Sequence, residues 1–337
     1  MKISKTLATM MLAGAAGAFA LTAPTTADAK LKRITIGSNP AGTMYFVLAG
    51  AFSKLFQEKL GVRANAQPHA GSSVYLPLMD KGEITMGLNS SLDSAMAYNA
   101  RAPYKKATKN VRTIARVWTL PYAYFVRASS GMKTIADLKG KKVQVNIKSN
   151  VSLGTLNRVL LSTAGLTMKD VNAVQSGGIV QGINMVVEGR VDAAVTALGI
   201  PVLLKAHAGI PGGIQILSLG PKATDDFMSK GMEGSRTLTV KPSKRFVGVK
   251  GPTKIAAFES YLNISGNVSN EDAYMLAKTL HQNWKALNKD YGATRSVKVD
   301  KMAPPINPIP YHDGAIKYYK EAGIWSAKNA SHQSMLK

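Results

Sequence analysis

The chain has 337 residues, 45% of them hydrophobic, and a formal charge of +24 from 43 Lys and Arg against 19 Asp and Glu. That length exceeds the roughly 250 to 300 residues at which single cores stop growing and implies about two domains, and the hydrophobic fraction excludes a disordered chain. The complete absence of cysteine excludes disulfide frameworks, thiolate metal sites, Fe–S clusters, cysteine nucleophiles and a lipid on an N-terminal cysteine.

Lys2 and Lys5 precede an uncharged stretch from Thr6 to Ala27 whose core, Leu7 to Leu21, is mostly Ala, Leu, Met and Gly. Ala27-Asp28-Ala29 then supplies a small-x-small cleavage site just before Lys30. This order predicts a secretory signal over residues 1–29, cleaved near Ala29, and a mature protein exported to the periplasm. The apolar core is too short for the roughly 20 residues a membrane span needs.

The basic residues are dispersed. Their densest groups, Lys30 with Lys32 and Arg33, Lys105 with Lys106 and Lys109, and Lys139 with Lys141 and Lys142, carry no interleaved aromatics. They read as a solvated basic surface that steers anions, not as a nucleic-acid site.

Along the mature chain a strand, loop, helix unit repeats. Ile34 to Ile36 is a β-branched run, and the loop from Gly37 to Thr43 follows it. Met44, Val47, Leu48, Ala51, Phe52, Leu55, Phe56 and Leu60 then fall on one helical face, with Thr43 placed as cap and Gly61 as terminator. Val62–Pro68 predicts a strand, His69–Ser73 a loop, and Val74–Lys81 a helix ending at Gly82. Ile84–Leu88 predicts the next strand, Asn89–Ser91 the loop, and Leu92–Tyr98 the helix.

After the aromatic and Pro segment Trp118–Tyr122 the pattern restarts. Tyr122–Val126 is a predicted strand, Ile135–Gly140 a short helix and turn, and Lys142–Ile147 a strand. Lys148–Val151 leads into a helix over Ser152–Ala164. Val171–Gln175 and Val191–Ala197 are strands flanking a helix over Ile179–Glu188, and the second strand runs into Gly199-Ile200-Pro201. Helices near Glu271–Asn288 and Asp313–Ala322 form no third unit and are expected to pack back on the first half. Strands alternating with helices imply α/β domains with parallel sheets.

In such sheets ligands sit at the carboxyl ends of the strands. Each loop here opens a helix, so free N–H groups and the positive end of its dipole face the same cleft. Several converging helix N-termini make an anion site without Lys or Arg. Ser72, Ser73, Asn89, Ser90, Ser91, Ser149 and Asn150 add polar side chains there. Each of these also suits the cap of its own helix.

No G-x-S-x-G elbow, H-E-x-x-H pair, Walker loop or G-x-G-x-x-G fingerprint is present. His69, His207, His281, His312 and His332 stand singly. His69 borders a cleft loop, where it is placed either to bond a ligand carboxylate or, as such residues more often do, to serve as a supporting or surface histidine. Gly177-Gly178 reads as a tight turn.

Several segments, in order, resemble one family. They are Gly37–Tyr45 with its Gly-Thr-Met-Tyr ending, His69–Ser73, Lys81–Leu88, Ile135–Val143, Glu188–Ala194 and Ile309–Tyr319. Together they resemble the TAXI family of solute receptors, which serve tripartite ATP-independent periplasmic (TRAP) transporters. The resemblance implies a type II periplasmic-binding-protein fold, two α/β domains joined by crossing hinge strands with the ligand cleft between them. It implies a domain I over residues 30–121, a domain II over 122–255, and a return to domain I with C-terminal helices over 256–337.

It further implies a small anionic solute, a carboxylate such as glutamate or a dicarboxylate, delivered to TRAP permease membrane subunits. No catalysis, cofactor, metal or nucleic acid is expected, and the receptor is expected to be a monomer. The ligand-binding candidates are Asn39, Ala41, Gly42, Thr43, Met44 and Tyr45 in the first loop and helix start; Gly71, Ser72 and Ser73; Asn89, Ser90 and Ser91; Ser149, Asn150 and Val151; and Gly199 with Pro201. Two departures from the family stand out. Asn39 and Pro40 occupy a loop that usually has more glycine, and Lys148-Ser149-Asn150 replaces a usual Gly-Ser-Gly. A receptor for an ATP-driven importer shares the fold. An enzyme on the same scaffold, as in porphobilinogen deaminase, normally attaches its cofactor through cysteine.

Overall fold

The computed structural model describes residues 31–336, so the expected signal segment lies outside the described residues. β1 (Arg33–Ser38) leads into α1 (Met44–Leu60) as the periodicity predicts. The Thr43 side chain accepts the Phe46 N–H at the start of α1, and Gly61 ends it with a φ of 66°, a conformation that favours glycine. β2 (Arg63–Pro68) pairs parallel with β1. α2 (Ser72–Lys81) begins two residues before the predicted start and draws Ser72 and Ser73 out of the loop into its first turn. β3 (Met86–Ser90) and α3 (Ser91–Tyr98) complete the first half.

β4 (Val111–Arg127) is a 17-residue strand, of which the sequence predicts only Tyr122–Val126. It carries the chain into the second half. There β5 (Lys142–Ile147), α4 (Val151–Ser162), β6 (Asn172–Ser176), α5 (Ile179–Val187) and β7 (Ala193–Ala197) follow the predicted order. The elements α6 (Pro201–Gly209), β8 (Ile214–Ile216), α7 (Asp225–Gly231) and β9 (Arg236–Val240) come next. All four are short, three to nine residues, and the periodicity does not predict them. β10 (Thr253–Ser265) returns the chain.

The predicted helix at Glu271–Asn288 is broken at Asn283 into α8 (Asn270–Gln282) and α9 (Trp284–Asp290). α10 (Asp313–Glu321) and α11 (Ala327–Leu336) close the chain. This segment packs on the first half as expected. Phe52 of α1 meets Trp284 at 6.4 Å between ring centroids, and Tyr319 Oη donates to the Ile114 carbonyl at 3.0 Å.

The strand order is β2-β1-β3-β10-β4-β7-β5-β6, with β8 beside β4 and β9 beside β10. The parallel units β2-β1-β3 and β7-β5-β6 therefore lie at opposite ends, giving lobe I and lobe II. Between them β4 and β10 run antiparallel from Ala256↔Tyr122 to Ser265↔Val111, with a register shift between Ser260 and Tyr261. β10 pairs with β9 at its start and with β3 at its end. Both strands thus belong to both lobes, and the two expected domain divisions fall at or inside them. The crossing hinge strands that the resemblance implies correspond to this pair.

Candidate functional site

A cavity lies where the hinge strands pass between the lobes. Lobe I supplies Asn39, Thr43, Met44, Tyr45, Ser90 and Asp93; the hinge strands supply Trp118, Leu120, Tyr122 and Phe258; lobe II supplies Asn150, Leu153, Ile179, Ala197 and Ile200. Its volume is about 50 Å³, and one water needs roughly 10–15 Å³ on the same scale. It suits a small, compact molecule.

Local rules explain the placement. Trp118, Leu120 and Tyr122 alternate on β4, so period 2 aims all three to one side, and Phe258 pairs with Leu120 across the ladder. Thr43, Ser90, Asn150 and Ile200 are the N-cap residues of α1, α3, α4 and α6, and Ile179 opens α5. Five helix N-termini therefore converge on one cavity. Each carries roughly half a positive charge. Among the described residues neither Lys nor Arg lines the cavity, and Asp93, 2% exposed, is the one charged side chain there.

Asp93 is saturated. Its Oδ1 accepts hydrogen bonds from Tyr104 Oη at 2.9 Å and Ser152 Oγ at 2.5 Å; its Oδ2 accepts from Ser72 Oγ at 2.5 Å and Ser90 Oγ at 3.1 Å. A carboxylate offers about four lone-pair sites, and all four are used. The other polar lining groups are also engaged. Tyr45 Oη bonds Ser260 Oγ at 2.9 Å, Tyr122 Oη donates to Asn157 Oδ1 at 2.9 Å, and Thr43 Oγ1 donates to the Pro40 carbonyl at 2.7 Å. Asn150 Nδ2 donates to Ser72 Oγ at 3.0 Å. Burial pushes the Tyr45 and Tyr122 hydroxyls well above the usual tyrosine range, so both stay protonated. Among the described residues, two that line the cavity each carry a buried atom without a partner, Trp118 Nε1 and Asn39 Oδ1.

Six predicted residues line the cavity: Asn39, Thr43, Met44, Tyr45, Ser90 and Asn150. The structure brings others together as a contact between lobes. Ser73 N–H donates to the Ser149 carbonyl at 3.1 Å, and Val151 N–H donates to Ser73 Oγ at 3.1 Å. A Cβ on Gly71 would meet the Ser149 carbonyl oxygen and, at 2.5 Å, Asn150 Oδ1. On another side of the cleft the Gly42 carbonyl accepts the Val202 N–H at 3.1 Å, and exposed Arg101 pairs with Glu233 at 2.6 Å.

The remaining candidates stand away from the cavity wall. Ala41 and Pro201 are exposed and Gly199 faces Arg245 and Phe246, while buried Asn89 accepts from Asn263 Nδ2 at 3.3 Å and Ser91 is buried at the start of α3. Ile200, between two candidates, is the residue that lines it. His69 stacks near Tyr75, 5.5 Å between centroids, and is likewise outside the lining.

Asp93 and the hinge-strand residues are not among the site residues expected from the sequence. The Ser90-x-x-Asp93 spacing of a capping box was a usable signal for the first, and alternation through Trp118, Leu120 and Tyr122 for the others. Among the described residues no cluster of three or more His, Asp or Glu is placed to hold a metal. No helix among them is long and apolar enough to cross a membrane.

Two α/β lobes joined by two shared strands around a cavity define the fold of periplasmic solute-binding proteins. The chain shares it with the alkanesulfonate-binding protein SsuA from Xanthomonas axonopodis pv. citri bound to MOPS, at 16% identity and a TM-score of 0.51 over 92% of this chain and 96% of that one. PhnD1 from Prochlorococcus marinus in complex with methylphosphonate gives 13% and 0.50 over 80% and 89%. A Bordetella bronchiseptica RB50 protein gives 16% and 0.51 over 88% and 90%. The chain itself belongs to the NMT1-like family, which matches residues 36–323.

Proposed function

We propose that the protein is an exported solute receptor that binds a small carboxylate between its lobes and delivers it to a TRAP permease, without transforming it. The observation that carries this reading is the convergence of five helix N-termini on a cavity that no Lys or Arg among the described residues lines. Such a site holds an anionic head by first-turn N–H groups of α1, α3, α4 and α5, through charge-assisted bonds roughly twice as strong as neutral ones; α6 adds only its dipole, since Pro201 has no N–H and those of Val202 and Leu203 bond the Gly42 and Ile200 carbonyls. Two proteins of the same fold are described with organic oxyanions, MOPS and methylphosphonate. Residues 30–121 with 256–337 form one lobe and 122–255 the other, with a signal removed near Ala29. Closure about β4 and β10 traps the solute because the cavity floor is made of those strands.

Native mass spectrometry of the purified mature protein tests this, with a co-purified carboxylate released on unfolding as the expected result. A cationic companion, or conversion of the solute on incubation, would overturn it. The TRAP assignment rests on the ordered sequence segments. Uptake that continues when ATP is depleted but the ion gradient is kept supports it, and a requirement for ATP assigns the receptor to an ATP-driven importer.

A further inference from the structure

We propose, building on the carboxylate reading above, that Asp93 determines the charge class of the solute. Its buried carboxylate admits a ligand with one anionic head, seated at the starts of α1 and α5, and rejects dicarboxylates.

Asp93 is 2% exposed and lines the cavity, and among the described residues no Lys or Arg forms an ion pair with it. Its charge is met by hydroxyls: Ser72, Ser90, Tyr104 and Ser152 fill its four acceptor positions. Hydroxyls orient toward a carboxylate without cancelling its charge, so the field of Asp93 extends into the low-dielectric space around it. That field reaches across the site. Burial is the main cause that raises the Tyr45 and Tyr122 hydroxyls, and the Asp93 charge adds to the rise in both. Both tyrosines line the cavity.

The resident carboxylate also divides the helix starts. Ser72 is the first residue of α2, Ser90 caps α3 and Ser152 is the second residue of α4, so the starts of three helices already bond Asp93. The first turns of α1 and α5 hold no acidic residue, and Thr43, Met44, Tyr45 and Ile179 bring them to the cavity. One ligand carboxylate is served there. A second, in a cavity of about 50 Å³, would lie near Asp93 with no lining Lys or Arg among the described residues to pair with it. Two carboxylates sharing a small site repel, and burying the second unpaired adds the cost of its lost hydration. Leu120, Leu153, Ile179 and Phe258, also on the wall, suit an uncharged body.

Calorimetry at pH 7 on the mature protein, refolded to strip any bound companion, compares succinate with butanoate and with succinamate, the near-isostere in which an uncharged amide replaces one carboxylate. The unaltered protein is expected to bind succinamate about tenfold or more tighter than succinate. Asp93→Asn removes the charge and is expected to bring the two within about threefold, even where loosened lobe contacts weaken both. Ser152→Ala loses one lobe-to-lobe bond and keeps the charge, and should weaken both equally with their ratio unchanged. Succinate binding as tightly as succinamate in the unaltered protein overturns the proposal and leaves the carboxylate reading standing. A ratio that survives in folded Asp93→Asn overturns the assignment to Asp93. Binding of none of the three overturns the carboxylate reading and the proposal with it.

Discussion

Ser152 Oγ on α4 donates a hydrogen bond to Asp93 Oδ1 on α3 at 2.5 Å, so a hydroxyl of lobe II is tied to a carboxylate of lobe I at the edge of the cavity. The same carboxylate gathers Ser72, Ser90 and Tyr104 from its own lobe. Only the Ser152 bond depends on closure. It is made to an ionised acceptor and is buried from solvent, which puts it in the stronger class of side-chain hydrogen bonds.

Ser152→Ala is therefore expected to weaken ligand binding by about 1 to 2 kcal/mol, the cost of one bond to a charged group. Asp93 keeps three donors, so thermal stability should change little. Calorimetry and a thermal melt on the same variant separate the two effects. Unchanged affinity would mean the bond does not bias the closed arrangement.

Gly71 gives a sharper test of the same contact. Its φ of 172° is extended backbone that any residue adopts, so Gly71→Ala introduces no local strain. The new methyl would nevertheless run into the Ser149 carbonyl and Asn150 Oδ1 of the opposite lobe. The variant should fold normally, fail to compact in small-angle scattering when ligand is added, and bind at least tenfold more weakly. Compaction equal to that of the unaltered protein would show that the lobes approach differently in solution.

The parts of this architecture legible in the sequence are those governed by local rules. α1 was readable from Thr43 to Gly61 because cap, apolar stripe and terminator all agree, and β5 matched to the residue. β4 was cut short because Pro121 and the polar positions before it read as a break. Its ladder to β10, 130 or more residues away in sequence, keeps it extended. Long-range pairing of that kind leaves no local mark. In the site, residues that cap helices were recovered and side chains delivered by the hinge strands were not. The lobe-to-lobe bonds of Ser73, Ser149 and Val151 have the residue types of a ligand loop, and only the packing of the two lobes shows what they contact.

Stability should fall as pH drops below neutrality, and His312 should contribute. Burial holds its imidazole below the ordinary value of 6.5, and the same cause acts on His69 and His281. Between the folded value and 6.5 the unfolded chain binds more protons than the native one, so unfolding becomes easier as pH falls through that window. In the fold His312 caps α10 through Nδ1, which accepts the Gly314 N–H at 3.2 Å, while Nε2 bonds the Val268 carbonyl at 3.0 Å. His312→Asn keeps a good cap and removes the titration. It should cost about 1 kcal/mol at pH 7 for the lost bond to Val268 and lose less than the unaltered protein between pH 7 and 5, as read by urea unfolding. An equal loss in both would place the acid sensitivity elsewhere.

Gly42 joins the first loop to the opposite lobe. It has a φ of +86°, where a residue with a Cβ is strained by roughly 1 to 2 kcal/mol. A Cβ there would also press on Val202 Cβ at 3.1 Å, against the residue whose N–H bonds the Gly42 carbonyl. Gly42→Val adds a branched side chain to both problems, next to Thr43 and Met44 on the cavity wall. The backbone strain should lower stability by a few kcal/mol and leave the fold in place, since Gly42 is a loop residue outside β1 and α1. The displaced loop should remove measurable binding, because the α1 N-terminus no longer meets the cavity in register with α6. Gly42→Ala, with the same φ strain and a smaller side chain, should retain part of the affinity. Circular dichroism to confirm folding and calorimetry on both variants decide the matter, and near-normal affinity in folded Gly42→Val would place the ligand away from the first loop.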